Sequence, residues 1–197
     1  MKNRRKSRSA RKNTGFTLIE VLISIAVLTV GLVGLLGVMG MAMAATQSSE
    51  QVNIAKRLAN EALESILTAR ETANVDWVQI ANGNCNVGDS CGIFLTGAQP
   101  IDLPGVDGIV GTNDDGAAGP QILDMPGPSG IVMTTPGNPC AAPDVCQSLG
   151  NYTRTIAIAP FGTDTNLNSV TITVTYTTTQ FKVAQNYVLS TLISQYR

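Results

Sequence analysis

The chain has no histidine, so imidazole can serve neither as a general base nor as a metal ligand. It contains no phosphate-cradling Gly-x4-Gly-Lys loop, and neither serine nor cysteine has a histidine to activate it as a nucleophile. Charged residues make up only 14% of the sequence and aromatic residues 5%. Between Phe16 and Ala45 a single side chain is charged, Glu20. The first fifteen residues contain no acid at all, and none of the four cysteines precedes residue 85. These gaps speak against an enzyme, and no cofactor is required by anything in the sequence.

What is present is distributed unevenly. Lys2, Arg4, Arg5, Lys6, Arg8, Arg11 and Lys12 give residues 1–15 a charge of +7, which leaves six basic and fourteen acidic groups beyond, a net of −8. The acidic remainder offers no basic stripe, so no direct nucleic-acid contact is expected. The run from Phe16 to Ala45 is long enough to cross a bilayer core of about 30 Å. A basic segment beside such a span predicts a cytoplasmic N-terminus with the rest of the chain outside. An ordinary secretory signal places its cleavage site after a short apolar core. Here the small residue, Gly15, stands before the long run, so cutting there would remove the charges and keep the anchor. Glu20, alone within that run, is costly in a membrane and needs a partner.

Residues 16–70 read as one long helix. Gly31, Gly34, Gly37 and Gly40 recur every third position and permit close approach of neighbouring helices. Further on, Ala55, Leu58, Ala59, Ala62, Leu63 and Ile66 form an apolar stripe at helical spacing, with Lys56, Arg57, Asn60, Glu61 and Glu64 on other faces. Such a stripe calls for a sheet against it. Residues 82–150 hold thirteen glycines and eight prolines among 69, which predicts irregular structure. From Tyr152 the period becomes two. Tyr152–Ala159, Ser169–Thr177 and Asn186–Ser194 read as antiparallel strands with one buried face, separated by Pro160, Gly162 and Asn166 to Asn168, and by residues 178–185.

The cysteines form two close pairs, Cys85/Cys91 and Cys140/Cys146. Four cysteines allow three connectivities, and two local bridges are favoured because each closes a loop poor in apolar residues. Zinc is the alternative, but its tetrahedral sites use tighter spacing and often histidine. Bridges imply an oxidising, periplasm-like compartment. The segment from Asp102 to Gly116 gathers oxygen donors among glycines. Calcium takes about six to eight such oxygens, so Asp107, Asp114 and Asp115 are candidate calcium ligands, with a solvated acidic turn as the alternative.

The residues Gly15-Phe16-Thr17-Leu18-Ile19-Glu20, a basic leader before them and an apolar helix after them, resemble the class III signal of type IV pilins and type II secretion pseudopilins. The resemblance implies cleavage between Gly15 and Phe16 by prepilin peptidase and N-methylation of Phe16. It also implies that Glu20 sets register by pairing with the amine of a neighbouring subunit. Its expected fold is α+β: a long N-terminal transmembrane and amphipathic helix packed on a small antiparallel sheet, with a large irregular loop region. The expected division is a cleaved leader (1–15), an assembly helix (16–45), an amphipathic helix and connector (46–81), a Gly/Pro-rich region with two local disulfides (82–150) and the sheet of a periplasmic head (151–197). Within the family, Gly31-Leu32-Val33-Gly34-Leu35, the Ala55–Glu64 stretch and Val188–Ile193 look most like minor pilins of the PilV type. Implied partners are prepilin peptidase, other major and minor pilins, the inner-membrane pilus assembly machinery and the membrane itself. A minor pseudopilin of a type II secretion system is the alternative.

Overall fold

A computed structural model describes residues 15–117, 119–125, 145–178 and 183–196. The chain divides into two compact units, up to Thr46 and from Gln47 onward. A single α-helix, α1 (Leu18–Glu71), supplies most of the first unit and the opening of the second.

In the first unit the helix begins at a threonine cap. Glu20 N–H donates to Thr17 Oγ1 at 3.4 Å and to the Thr17 carbonyl at 3.1 Å. The polar side chains that follow are satisfied locally: Ser24 Oγ donates to the Glu20 carbonyl, and Thr29 and Thr46 donate to carbonyls of their own preceding turns. Gly31, Gly34, Gly37 and Gly40 lie within the uninterrupted helix. An apolar environment offers their backbone groups no alternative partner to the helical one.

The second unit is a sheet packed on the later turns of α1. Besides a two-residue strand β1 (Gln99–Pro100), it contains β4 (Tyr152–Phe161), β5 (Asp164–Thr177) and β6 (Ala184–Ser194), with β2 (Ile122–Met125) and β3 (Val145–Ser148) in a separate antiparallel pair. The main sheet has the order β1-β4-β5-β6 and is antiparallel throughout. Period-two patterning gives it one buried face, where Tyr152, Ile156 and Ile158 lie beside Val170, Ile172, Val174 and Tyr176. Against them α1 buries Ile54, Ala55, Leu58, Ala59, Ala62, Ile66 and Ala69. Four of those seven are alanines, which lets helix and sheet approach closely. The helical stripe is therefore core, as its spacing predicted, with Leu63 partly buried at its margin.

The strands run longer than their turn signals suggested. Pro160 does not end β4, and Asn166 to Asn168 belong to β5. A register irregularity between Pro160 and Phe161 absorbs the proline, and Gly162, at φ +64°, makes the reversal. Asn168 is tolerated in a strand because its buried amide donates to the Ile80 carbonyl at 3.0 Å.

The described part of 82–150 is mostly irregular, as its composition predicted. Backbone bonds from Gly83 to Phe94, Cys85 to Gly92 and Ile93 to Gln79 close it into a narrow ladder. A Cβ on Gly92 would stand 2.5 Å from the Ala81 carbonyl oxygen, so only glycine fits there.

Helix α1 ends with Asn74 N–H donating to the Ala69 carbonyl at 3.0 Å and Ala73 at φ +56°. That left-handed position usually holds glycine. Ala73→Gly should stabilise the second unit by about 1 kcal/mol. Urea unfolding of the full chain in detergent checks this, and an unchanged or lowered midpoint would count against it.

Candidate functional site: an exposed apolar helix and an enclosed cation

Phe16 stands just ahead of the helix, 82% exposed, and Glu20 lies in the first turn. From Phe16 to Met43 the large apolar side chains are all exposed. An 18-residue window of this helix reaches a mean hydropathy of 2.7 with none of it buried, so it is long and apolar enough to cross a membrane. Gly15 has nothing near the position a Cβ would take, while the basic leader that precedes it lies outside the described residues. Gly15, Phe16 and Glu20 thus sit together at one end of an unburied apolar rod. Glu20 lies four residues after Phe16, in the first helical turn.

The acidic loop holds its carboxylates through hydrogen bonds of its own. Asp107 accepts from Ile109 N–H at 2.8 Å and from Thr112 Oγ1 at 3.1 Å. Thr112 also stands 2.8 Å from Asp114 Oδ1, and Asp107 N–H donates to Asp114 Oδ2 at 3.3 Å. Asp115 turns elsewhere, accepting from Gly111 N–H. Among the described residues no three His, Cys, Asp or Glu side chains converge in a group that could hold a metal. Asp107 borders a groove of about 690 Å³ that also meets Arg57, Glu61, Glu64 and Gln121.

Sequence reasoning passed over the group that Asp115 faces. Arg154 on β4 is 2% exposed, its side chain on the same face as Tyr152 and Ile156. Its Nη1 lies 3.5 Å from the Leu58 carbonyl on α1. Burial pulls its pKa down, and the charges of Glu61, Asp115 and Asp102 push it back up. Among the described residues only Arg70 and Glu71 come within ion-pairing distance, so Arg154 is compensated by several acids at longer range. The signal was there to read: an arginine in the apolar phase of an alternating strand.

The carboxylates titrate accordingly. Burial raises Asp115 to about 6, against the pull of Gly111 N–H and the Arg154 charge. Asp107 is also raised, first by burial and then by the Asp114 charge, with the Ile109 N–H opposing. For Asp114 burial is outweighed by bonds from Thr112 and from backbone N–H groups, and its pKa falls.

Cys85 and Cys91 are joined in a disulfide with a Cα–Cα separation of 6.0 Å. Asn113 Nδ2 donates to the Asn84 carbonyl at 2.8 Å and ties that small loop to the acidic one. The expected Cys140–Cys146 bridge falls outside the described residues.

Comparison with known proteins bears on the N-terminal end. Residues 10–36 match the prokaryotic N-terminal methylation motif. No curated protein and no solved structure matches the chain. The motif supports a type IV pilin-like protein, and with the apolar helix it fits a membrane-anchored pilin or pseudopilin precursor of the kind that prepilin peptidase processes.

The Asp115–Arg154 arrangement sets a pH dependence. Asp115's folded pKa lies above its unfolded value, so the folded state holds the extra proton and stability falls as pH rises from about 4 to about 6. Asp115→Asn should flatten the profile across that window, and Arg154→Met should carry the loss to higher pH. Urea unfolding of the full chain at pH 4 to 8 reads both; parallel profiles for the wild type and Asp115→Asn would refute the assignment.

Proposed function

We propose that this chain is a minor pilin of the PilV type that takes part in initiating or capping a type IV pilus. Prepilin peptidase cuts between Gly15 and Phe16, and the new amino terminus of Phe16 is N-methylated. The basic leader keeps the N-terminus in the cytoplasm and the disulfide-bearing head in the periplasm until the subunit leaves the membrane for the fibre. Its partners are prepilin peptidase, sibling pilins and the inner-membrane assembly machinery. The observation that carries this reading is the methylation motif at 10–36 on a helix whose one charge up to Ala45 is Glu20.

The physical argument lies in that charge. A carboxylate moved from water into a bundle of apolar helices is expensive unless a cation meets it. The amine of Phe16 on a neighbouring subunit is a cation that becomes available only after cleavage. Pairing the two fixes the axial offset between subunits, since any other offset leaves both charges uncompensated. A minor pseudopilin of a type II secretion system would use the same motif and the same pairing. Genes neighbouring this one separate the two machines.

Glu20→Ala should leave insertion and cleavage intact and lower recovery in sheared filaments at least about tenfold, the size of a lost coupling of roughly 1.4 kcal/mol. Immunoblots of sheared and membrane fractions measure it, and wild-type recovery in the filaments would end the pairing role. Replacing Gly15 with a bulky residue, as in Gly15→Trp, should leave an uncut membrane precursor. Mass spectrometry finding a chain that starts at methylated Phe16 would contradict the cleavage assignment.

A further inference from the structure

The main sheet has two edges, and they are built differently. On the β4 side, β1 covers Thr153 and Arg154. Beyond it the Asn82 side chain stands in for a strand, donating to the Ile156 carbonyl at 2.8 Å and accepting from Ile158 N–H at 2.7 Å. Two residues further Pro160 faces the same way with no N–H to offer. That edge is closed by three separate devices.

Among the described residues the β6 edge has none of them. Its eleven residues, AQNYVLSTLIS, include no charged side chain and no proline, and they pair with β5 in unbroken register from Ala184 to Ser194. Natural sheets blunt a free edge with charge, proline, a bulge or brevity, and a long uncharged edge is a template for another strand. The direction of its free groups follows from two bonds. Thr178 N–H donates to the Val183 carbonyl and Gln195 N–H to the Asn166 carbonyl, so the odd-numbered residues of β6 face β5. Alternation then turns the N–H and C=O of Asn186, Val188, Ser190 and Leu192 outward. Arg70 Nη1 caps the next outward carbonyl, that of Ser194, at 2.9 Å and closes the run at that end. On the face away from α1, Val188 and Leu192 are 55% and 48% exposed.

We propose that β6 pairs antiparallel with β6 of a second copy of this chain, about a two-fold axis at Ser190. The strand is self-complementary in that register. Each Val188 then stands opposite a partner Leu192 on the outer face, which covers both exposed apolar side chains. On the inner face Tyr187 meets Ile193 and Leu189 meets Thr191. No like charges oppose one another, because β6 has none. This register pairs even-numbered residues with even-numbered ones, so the outward N–H groups of Val188, Ser190 and Leu192 each meet an outward carbonyl. The contact lies at the small end of specific interfaces, below about 1,200 Å². It therefore works among copies held close together, as in a membrane, rather than as an obligate dimer. The proposal stands apart from the pilus reading and holds whichever machine the chain serves.

Single-cysteine variants of the full chain in native membranes test it. Opposed β residues bring Cα atoms to about 5.5 Å, within disulfide reach. Ser190→Cys should form a dimer on non-reducing gels after mild oxidation, several-fold more than Thr173→Cys, which lies on the same sheet face one strand inward. Adding Val188→Lys to Ser190→Cys should reduce that dimer several-fold. A Ser190→Cys protein that stays monomeric, cross-linking equal to that of Thr173→Cys, or indifference to Val188→Lys each overturns the proposal. Pairing with a strand of some other protein would show itself as the first of these.

Discussion

From Phe16 to Met43 the chain presents a column of large apolar side chains that none of the described residues buries. At about 25 cal/mol for each Å² of apolar surface, such a column cannot persist in water, and it dictates the rest of the molecule's life. A bilayer is one solution and a bundle of like helices is another. Both are nonaqueous, so a segment suited to one can move to the other with little change in solvation. What does change is the environment of Glu20. In a bilayer it sits near the start of the span, within reach of the interface; in a bundle it is surrounded by helices and must find a cation among them. In the fibre proposed above, the apolar column would supply affinity without direction, and Glu20 would supply the offset.

The second unit solves its own solvation problem internally, with one buried charge among its described residues. Arg154 occupies a position in the β4 alternation where an apolar residue would complete the core, and no acid among the described residues comes close enough to form a tight pair. Removing one partner from a buried charge is far more damaging than exchanging the whole arrangement for apolar residues. The acids of the 102–116 loop therefore have a task within the chain. Asp115 and Asp102 balance Arg154, while Asp107 and Asp114 are bound through Thr112 and backbone N–H groups into the turn that carries them. A glycine-rich acidic sequence is compatible with a cation from solution or a cation from the protein's own sheet. Gln121, bonded to Glu61 on α1, fixes the far end of the same loop on the helix.

Patterning made the helix, its core stripe and the three long strands legible, because each has a period of its own. Boundaries were harder where a breaker stood in a position that tolerates it. Pro160 lies where the missing N–H faces away from β5, and Asn168 has Ile80 to bond with. Neither fact is local. The same holds for the irregular region. Asn82 finds Ile156 and Ile158 more than seventy residues away, and Asp115 finds Arg154 across the core. No periodicity marks such partners. The N-terminal methylation motif was legible for the opposite reason: its residues lie within one short stretch of the chain, and the motif consists in their order.

Polar accounting distinguishes the surfaces that are finished from those that are not. Where this chain has a spare carbonyl or N–H at the β4 edge, it provides a group for it, whether a short strand, an amide or a proline that removes the demand. Arg70 does the same for the last outward carbonyl of β6. Against that thoroughness, four consecutive outward residues of β6 without a single device are a departure, and so is an apolar helix without a cover. Water can satisfy a free strand edge at little cost, which is why an edge can wait unpaired where an apolar column cannot. The two surfaces thus differ in urgency: the helix must be covered from synthesis onward, whereas β6 gains from a partner only once copies are concentrated enough for the exchange of water for strand to be favourable.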